Sequence, residues 1–153
     1  MTGAVGAAAN EFVEIVNAGT APADVGGYKL VYRSATGSSD VVLATIPAGT
    51  TIPTGGFYLL GGSGYTGPPA ADQSFGTGLA ATAGGLALRD PSGALVDSVG
   101  YGTSAANGLV EGSPAPAPAA GSSAARVPDG HDGNDNAADF SILASPTPRA
   151  SNL

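Results

Sequence analysis

The sequence predicts an all-β protein whose strands form an antiparallel β-sandwich. Among its 153 residues are 25 glycines and 12 prolines. Both interrupt helix interiors, glycine through backbone entropy and proline through its missing N–H donor. Short runs rich in β-branched and aromatic residues alternate with segments of Gly, Pro, Asn and Asp, a pattern typical of strands joined by turns. The length indicates one domain with a substantial hydrophobic core.

The first two strands are predicted within residues 10–32, NEFVEIVNAGTAPADVGGYKLVY. EFVEIVN, at 11–17, is rich in strand-forming residues and is followed by AGTAPAD, which is rich in turn-forming residues. YKLVY, at 28–32, alternates large apolar residues with Lys29 and Arg33. This period of two predicts a strand with one buried face and one solvent face.

The middle of the chain supplies two further strands. DVVLATI, at 40–46, predicts a third strand that Pro47 ends, and the strand at 57–60 follows the turn-forming pair Gly55-Gly56. Residues 61–83 consist largely of Gly, Pro, Ala and Thr and are predicted to form a long loop. Loops of this length in a compact domain are usually functional or family-specific insertions.

The most distinct local signal is a β-hairpin. The strands 86–89 and 94–101 flank the turn Asp90-Pro91-Ser92-Gly93. Proline at the second turn position and glycine at the fourth are typical of a type I turn. We therefore expect this turn to set the register of the two strands.

The C-terminal part begins with GSPAPAPAAGSS at 112–123, whose composition predicts a flexible surface loop with polyproline character. A short segment at 124–127 and a last strand around 140–143 follow. Between them the acidic residues crowd together in the segment 129–139.

Four of these segments, in this order and spacing, resemble the lamin tail domain, specifically its bacterial branch. They are EFVEIVNAGTAPADVGGYKLVY, IPAGTTIPTGGFYLL, LALRDPSGALVDSVGYG and ARVPDGHDGNDNAADFSILASPTPRASN. The resemblance covers most of the chain from Asn10 onward. It implies an immunoglobulin-like sandwich of two antiparallel sheets, no catalytic activity, and a structural or protein-interaction role. Similar bacterial domains are extracellular modules, often appended to secreted enzymes, so we expect an extracellular or particle-surface location. An accessory domain of a secreted enzyme is an alternative function.

The resemblance also leads to an expectation about the first edge of the sandwich. Family members open with an apolar strand before a Gly-rich loop, and this sequence opens in such a loop. We expect residues 1–9 to be the remnant of that loop and residues 10–153 to form a single domain. A sandwich without this strand exposes an edge that a protein partner, a peptide or another copy can pair with. The residues of that edge are Glu11, Phe12, Val13, Glu14, Ile15 and Val16.

Composition argues against several function classes. The net charge is −7, and the five Lys and Arg residues are scattered, whereas phosphate binding needs a cluster of them. No apolar run approaches the ~20 residues of a membrane span, and the N-terminus does not have the pattern of a signal peptide. Without cysteine, a disulfide framework and a thiolate metal site are impossible. No nucleic-acid binding and no membrane insertion are therefore expected.

The acidic segment is the candidate metal site. Ca²⁺ prefers several hard oxygen ligands from a flexible loop, and the pattern differs from an EF-hand in spacing and in its missing terminal Glu. A calcium-dependent carbohydrate- or surface-binding module is thus an alternative function. The other interpretation is that these side chains cap turns by accepting backbone N–H groups. The candidate ligands are Asp129, Asp132, Asn134, Asp135 and Asp139, with His131 and Asn136 beside them.

Other motifs do not predict catalysis. The G-x-G-x-x-G at 62–67 is followed by Pro68-Pro69, so no helix can begin there to hold a dinucleotide. His131 is not predicted to be a general base, because the sequence has no G-x-S-x-G turn with a nucleophilic serine for it to deprotonate. Glu11 and Glu14, three apart on a strand, point to opposite faces and cannot flank one substrate bond. We predict no catalytic residue and no cofactor besides the candidate calcium ion. Most aromatic residues are assigned to the core, and Tyr65 is expected to be exposed.

Overall fold

The computed structural model describes residues 10–76 and 78–152, so the predicted loop remnant at 1–9 lies outside the described residues. The described chain contains eleven strands and one short helix. In chain order these are β1 (Phe12–Val16), β2 (Ala23–Asp24), β3 (Lys29–Ser34), β4 (Val41–Thr45), β5 (Thr51–Ile52), β6 (Phe57–Gly62), β7 (Gln73–Phe75), β8 (Ala83–Arg89), β9 (Leu95–Gly102), β10 (Ser123–Arg126), α1 (Asn136–Asp139) and β11 (Phe140–Leu143).

The strands form two larger sheets and two small ones. The larger sheets have the orders β4-β3-β8-β9 and β1-β6-β7, and the small ones are the pairs β2-β5 and β10-β11. Every pairing within these sheets is antiparallel except that of β6 with β7, which is parallel. The predicted all-β class and immunoglobulin-like antiparallel sandwich are confirmed.

The core is formed by apolar side chains of both larger sheets and of the loops at their ends. Burying each large aliphatic side chain stabilises the fold by about 1.5–3 kcal/mol. Val13 and Ile15 of β1 pack against this core, which fixes the inward face of β1. The main cluster consists of Val25, Leu30, Ala44, Ile46, Ile52, Tyr58, Leu60 and Phe75.

The predicted hairpin is present as β8 and β9. The N–H of Gly93 donates to the carbonyl of Asp90 at 2.9 Å, and the N–H of Asp90 donates to the carbonyl of Ala94 at 3.0 Å. Gly93 has φ of +92°, in the left-handed region that favours glycine. The turn therefore sits where the sequence predicts it, with one register shift between Leu88 and Arg89.

Strand β3 differs from its prediction because both of its faces are covered. Val31, on the predicted solvent face, is 1% exposed and packs with Ala87 and Leu109. The segment 103–111 crosses this outer face, where the Nδ2 of Asn107 donates to the carbonyl of Ser34 at 2.8 Å. The period of two in YKLVY does not reveal this covering because the covering segment comes from far along the chain.

The two predicted loops are more closely tied to the sheets than their composition indicates. The loop 61–83 contains β7, which pairs with β6. In the segment 112–123, Ala115 is buried and bridges to β9. Its N–H donates to the carbonyl of Gly100 at 2.7 Å, and its carbonyl accepts from the N–H of Gly102 at 2.8 Å.

The expectation that Tyr65 is exposed is wrong. Its ring packs edge-to-face on Phe12, with centroids 5.9 Å apart and planes at 64°. Its hydroxyl donates to the carbonyl of Pro69 at 3.1 Å. The close approach to Gly61, which has no side chain to displace the ring, makes this packing possible.

Candidate functional site

The acidic segment folds around Asp139, which is 1% exposed. Its carboxylate accepts the N–H of Gly133 at 2.9 Å, the N–H of Asp135 at 3.4 Å and the Nη1 of Arg126 at 3.0 Å. Burial raises the pKa of Asp139, but the backbone N–H groups and the guanidinium outweigh it and hold the pKa below its ordinary value. Asp139 is thus an ionised centre that organises the loop before β11.

The remaining acids of the segment also accept hydrogen bonds from the backbone. Asp135 caps α1 by accepting the N–H of Ala137 at 3.1 Å, and Asp132 accepts the N–H of Asn134 at 3.1 Å. Asp129 accepts the N–H of Asn152 at 3.1 Å. The contacts of Asp132 and Asp135 match the turn-capping interpretation, whereas that of Asp129 holds the C-terminal segment.

The calcium site stays a prediction. Of the five proposed ligands, four have carboxylates that already accept the hydrogen bonds above, and Asn134 takes a left-handed backbone conformation with φ of +58°. Over residues 10–76 and 78–152, no group of three or more His, Cys, Asp or Glu side chains is arranged to hold a metal ion.

Arg126, at the end of β10, joins the acidic segment to β9. Its guanidinium lies 4.7 Å from the ring centroid of Phe140 and is surrounded by carboxylates. The nitrogen–oxygen distances are 2.7 Å to Asp97, 3.6 Å to Glu111, 3.4 Å to Asp132 and 3.0 Å to Asp139. Four carboxylates around one cation leave this corner of the molecule with excess negative charge.

Two of these carboxyl groups have raised pKa values, chiefly because of burial. Burial raises the pKa of Asp97, and Arg126 offsets this only in part. Burial also raises the pKa of Glu111, with a further contribution from the charges of Asp97 and Asp132. Additional positive charge near Asp97 would therefore be favourable.

Asn136, the first residue of α1, is buried and connects the same corner to β9. Its Oδ1 accepts the N–H of Gly100 at 2.8 Å and the N–H of Glu111 at 3.0 Å. Its Nδ2 donates to the carbonyl of Ser98 at 3.2 Å and to Glu111 at 3.0 Å. Sequence reasoning placed Asn136 beside a candidate metal site and missed this bridge, because no local pattern marks an asparagine as buried.

The predicted partner-binding edge is β1. The bonds from Gly62 N–H to the carbonyl of Glu11 at 2.7 Å and from Asn17 N–H to the carbonyl of Gly56 at 2.9 Å bracket its ladder with β6. Bonding pairs alternate along an antiparallel ladder, so the backbone groups of Glu14 and Val16 face away from β6. Among the described residues, no strand pairs with β1 on that side.

The two glutamates of this edge have separate partners. Glu11 is 2% exposed and accepts the N–H of Leu79 at 2.7 Å, and burial raises its pKa. Glu14 accepts the N–H of Arg149 at 2.7 Å, and burial raises its pKa as well. The C-terminal segment around Arg149 is thereby attached to β1, and the guanidinium of Arg149 pairs with Asp72 at 2.5 Å.

A cleft of about 440 Å³ runs alongside β1, and we refer to it as the β1 cleft. Its walls are β1 on one side and β9 and β10 on the other, and Thr147 and Asn152 of the C-terminal segment also line it. Strand β10 pairs only with β11 in the described chain, so two strand edges border one cleft. Its apolar lining includes Leu30, Leu86, Leu88 and Val99.

Comparison with known protein families supplies a match. A family model described as the Lamin Tail Domain matches residues 2–103. No curated protein matches the sequence. Within the described residues, no helix combines the length and the apolar character needed to cross a bilayer.

Proposed function

The chain belongs to the lamin tail domain family, whose members are non-catalytic immunoglobulin-like modules, and we propose that it acts as a structural or protein-interaction module completed by an added strand. The partner lays an extended segment into the β1 cleft. The proposal assigns the chain no catalytic role. It places the protein outside the cell or on the outer surface of an assembly, as the family resemblance implies.

The observation that carries this proposal is an apolar cleft beside the edge residues Glu14 and Val16, with which no strand of the described residues pairs on that side. The backbone groups of Glu14 and Val16 face the side that no described strand occupies. Strand addition draws its affinity from such main-chain groups and its specificity from alternate side-chain pockets. The residues Glu14 to Val16 offer an edge of about 10 Å, at ~3.4 Å per residue.

Amide hydrogen exchange combined with a peptide titration tests the proposal. In the free protein we expect the N–H groups of Val13 and Ile15 to be protected by β6, and those of Glu14 and Val16 to exchange quickly. A blocked peptide of about nine residues that alternates Val and Thr should slow exchange at Glu14 and Val16. The same peptide, N-methylated on the amides that would face β1, should have no effect.

Two matched variants locate the binding. Ala124→Phe adds bulk to a residue that lines the β1 cleft and should weaken peptide binding about tenfold or more. Ala138→Phe makes the same change on the exposed surface of α1 and should bind like the parent. Unchanged exchange at Glu14 and Val16 in saturating peptide, or equal loss in both variants, would rule the proposal out.

A further inference from the structure

One end of the β1 cleft is closed by the loop 127–133, whose residues Asp129, Gly130 and Asp132 line it. This loop starts where β10 ends, at Arg126, and reaches β1 near Ala18. The contact is close, because a methyl group added at Gly130 would collide with the Cβ of Ala18. The C-terminal ends of β1 and β10 therefore meet the same loop, and the cleft has two different ends.

The acidic side chains of the cleft are gathered at the end closed by this loop. Asp129 and Asp132 belong to the loop, and Asp97 lies within 2.7 Å of Arg126 at its start. Glu14 feels the positive charge of Arg149 as well as the negative charge of Asp129. The cleft lining thus holds four carboxylates, those of Glu14, Asp97, Asp129 and Asp132, against the single guanidinium of Arg126.

One of these acids, Asp97, lies on the face of its sheet that lines the cleft, although its side chain is half exposed. Asp97 is directly opposite Leu88, and Val99 is opposite Leu86, across the β8–β9 ladder. Directly opposite residues share a face of a sheet, so Asp97 lies on the same face as the apolar lining. An added strand would meet an apolar surface along most of the cleft and a negative charge at its end.

Resting on the proposed function, we infer that the segment that binds this cleft has alternating apolar side chains and a Lys or Arg at the end beside the loop 127–133. The apolar residues cover Leu86, Leu88 and Val99, which are partly exposed in the cleft. The basic residue compensates the negative charge of Asp97, Asp129 and Asp132, which Arg126 leaves unbalanced. If the segment runs antiparallel to β1, the geometry that pairs slightly better, its basic residue lies near its N-terminus.

Three blocked peptides test the inference with the intact chain. They share an alternating Val and Thr sequence and differ only by a Lys near the N-terminus, a Lys near the C-terminus, or no Lys. We expect one of the two Lys peptides to bind about tenfold tighter than the neutral peptide, since a partly desolvated charge pair contributes ~1.4 kcal/mol, and we expect that gain to fall as salt is raised.

Substitutions then assign the gain to the acidic end. Asp97→Asn with Asp132→Asn keeps an oxygen for Arg126 but removes both charges, and it should erase the Lys advantage. Asp24→Asn, an exposed acid on β2 that does not line the cleft, should preserve it.

Every outcome of the titration decides between alternatives. Equal gains for both Lys peptides would show only a general attraction to a protein of net charge −7 and would overturn the inference. Equal binding of all three peptides would overturn it while leaving strand addition intact. No binding by any peptide would overturn strand addition itself.

Discussion

Individual polar residues, rather than apolar ones, fix how the C-terminal third of the chain joins the sandwich. Asn136 and Asp139 are both almost fully buried, and both hold backbone or charged groups through hydrogen bonds. Buried polar groups that are fully hydrogen-bonded specify a unique arrangement, whereas a partly satisfied one is costly. The position of α1 therefore depends on side-chain hydrogen bonds more than on its four-residue helix.

Replacing Asn136 tests this dependence. Asn136→Ala leaves the N–H groups of Gly100 and Glu111 without their acceptor, and buried donors without partners are costly. We expect the free energy of unfolding to fall by about 3 kcal/mol in urea denaturation. Ser141→Ala, an exposed change on the neighbouring strand β11, should be within about 0.5 kcal/mol of the parent. Similar stabilities for the two variants would contradict a bridging role.

At the scale of elements, the close approach of loops to strands is set by small residues. Gly100 of β9 lies so close to Val110 that a methyl group there would overlap its side chain. This approach lets the segment 103–111 cover the outer face of β3 and bury Val31. Gly93 is different, because open space surrounds it and only its φ of +92° requires glycine.

A graded series of alanine substitutions separates these causes. Gly76→Ala meets open space at an ordinary φ and should change stability by less than about 0.5 kcal/mol. Gly93→Ala should cost about 1 kcal/mol through backbone strain alone. Gly100→Ala should cost about 2 kcal/mol or more, because Val110 and its backbone must move. Urea midpoints give the order, and a Gly100 variant as stable as the Gly76 variant would contradict the described packing.

Turn capping and calcium binding make different predictions for the acidic segment. A metal that binds only the native state must raise the melting temperature at saturating Ca²⁺, and Asp132→Asn with Asp135→Asn should then abolish the rise. Capping by these side chains predicts identical melting curves in Ca²⁺ and in a chelator. Melting curves of the parent and the double variant, each under both conditions, decide between the two.

Elements with a strong local signal could be predicted from the sequence. Contacts in which a segment distant in sequence packs over a sheet could not. The strand predicted around 140–143 matches β11, and the turn at 90–93 has its expected bonds. Strand β7 was missed because three residues, QSF, carry no usable period and pair in parallel with β6. The family resemblance predicted that the edge Glu11–Val16 binds a partner. It did not predict that β9 and β10 form the opposite wall of the β1 cleft. The role of Arg126 could not be predicted either, because its partners Asp97 and Glu111 are distant in sequence.

At the scale of the whole molecule, buried carboxyl groups determine how stability responds to pH. Burial raises the pKa of Glu11, Glu14, Asp97 and Glu111 above their ordinary values. Such a group binds its proton more tightly in the folded state than in the unfolded state. Its contribution to the free energy of unfolding therefore increases as the pH falls from neutrality toward the ordinary values of 4.5 for Glu and 3.8 for Asp.

Other carboxyl groups have the opposite effect at lower pH. Burial raises the pKa of Asp40, but hydrogen bonds from Arg89 and Arg33, each at 2.5 Å, outweigh it and lower the pKa. The hydroxyl of Ser92 and nearby backbone N–H groups lower the pKa of Asp90. The stability that such groups contribute is present above the ordinary value of 3.8 and is lost as the pH falls through their lowered pKa values.

Together these shifts predict that the free energy of unfolding is greatest on the acidic side of neutrality, at about pH 5. Lowering the pH from about 8 also reduces the self-repulsion of a chain with net charge −7 and a pI of about 4.2. Urea denaturation of dilute protein across the pH range measures this dependence. Glu11→Gln with Glu14→Gln should flatten the rise between about pH 7 and pH 5, because both side chains keep an oxygen to accept their backbone N–H groups but can no longer take up a proton. A parent protein whose unfolding free energy stays constant or falls over that interval would show that these carboxyl groups are ionised as readily in the folded state as in the unfolded one.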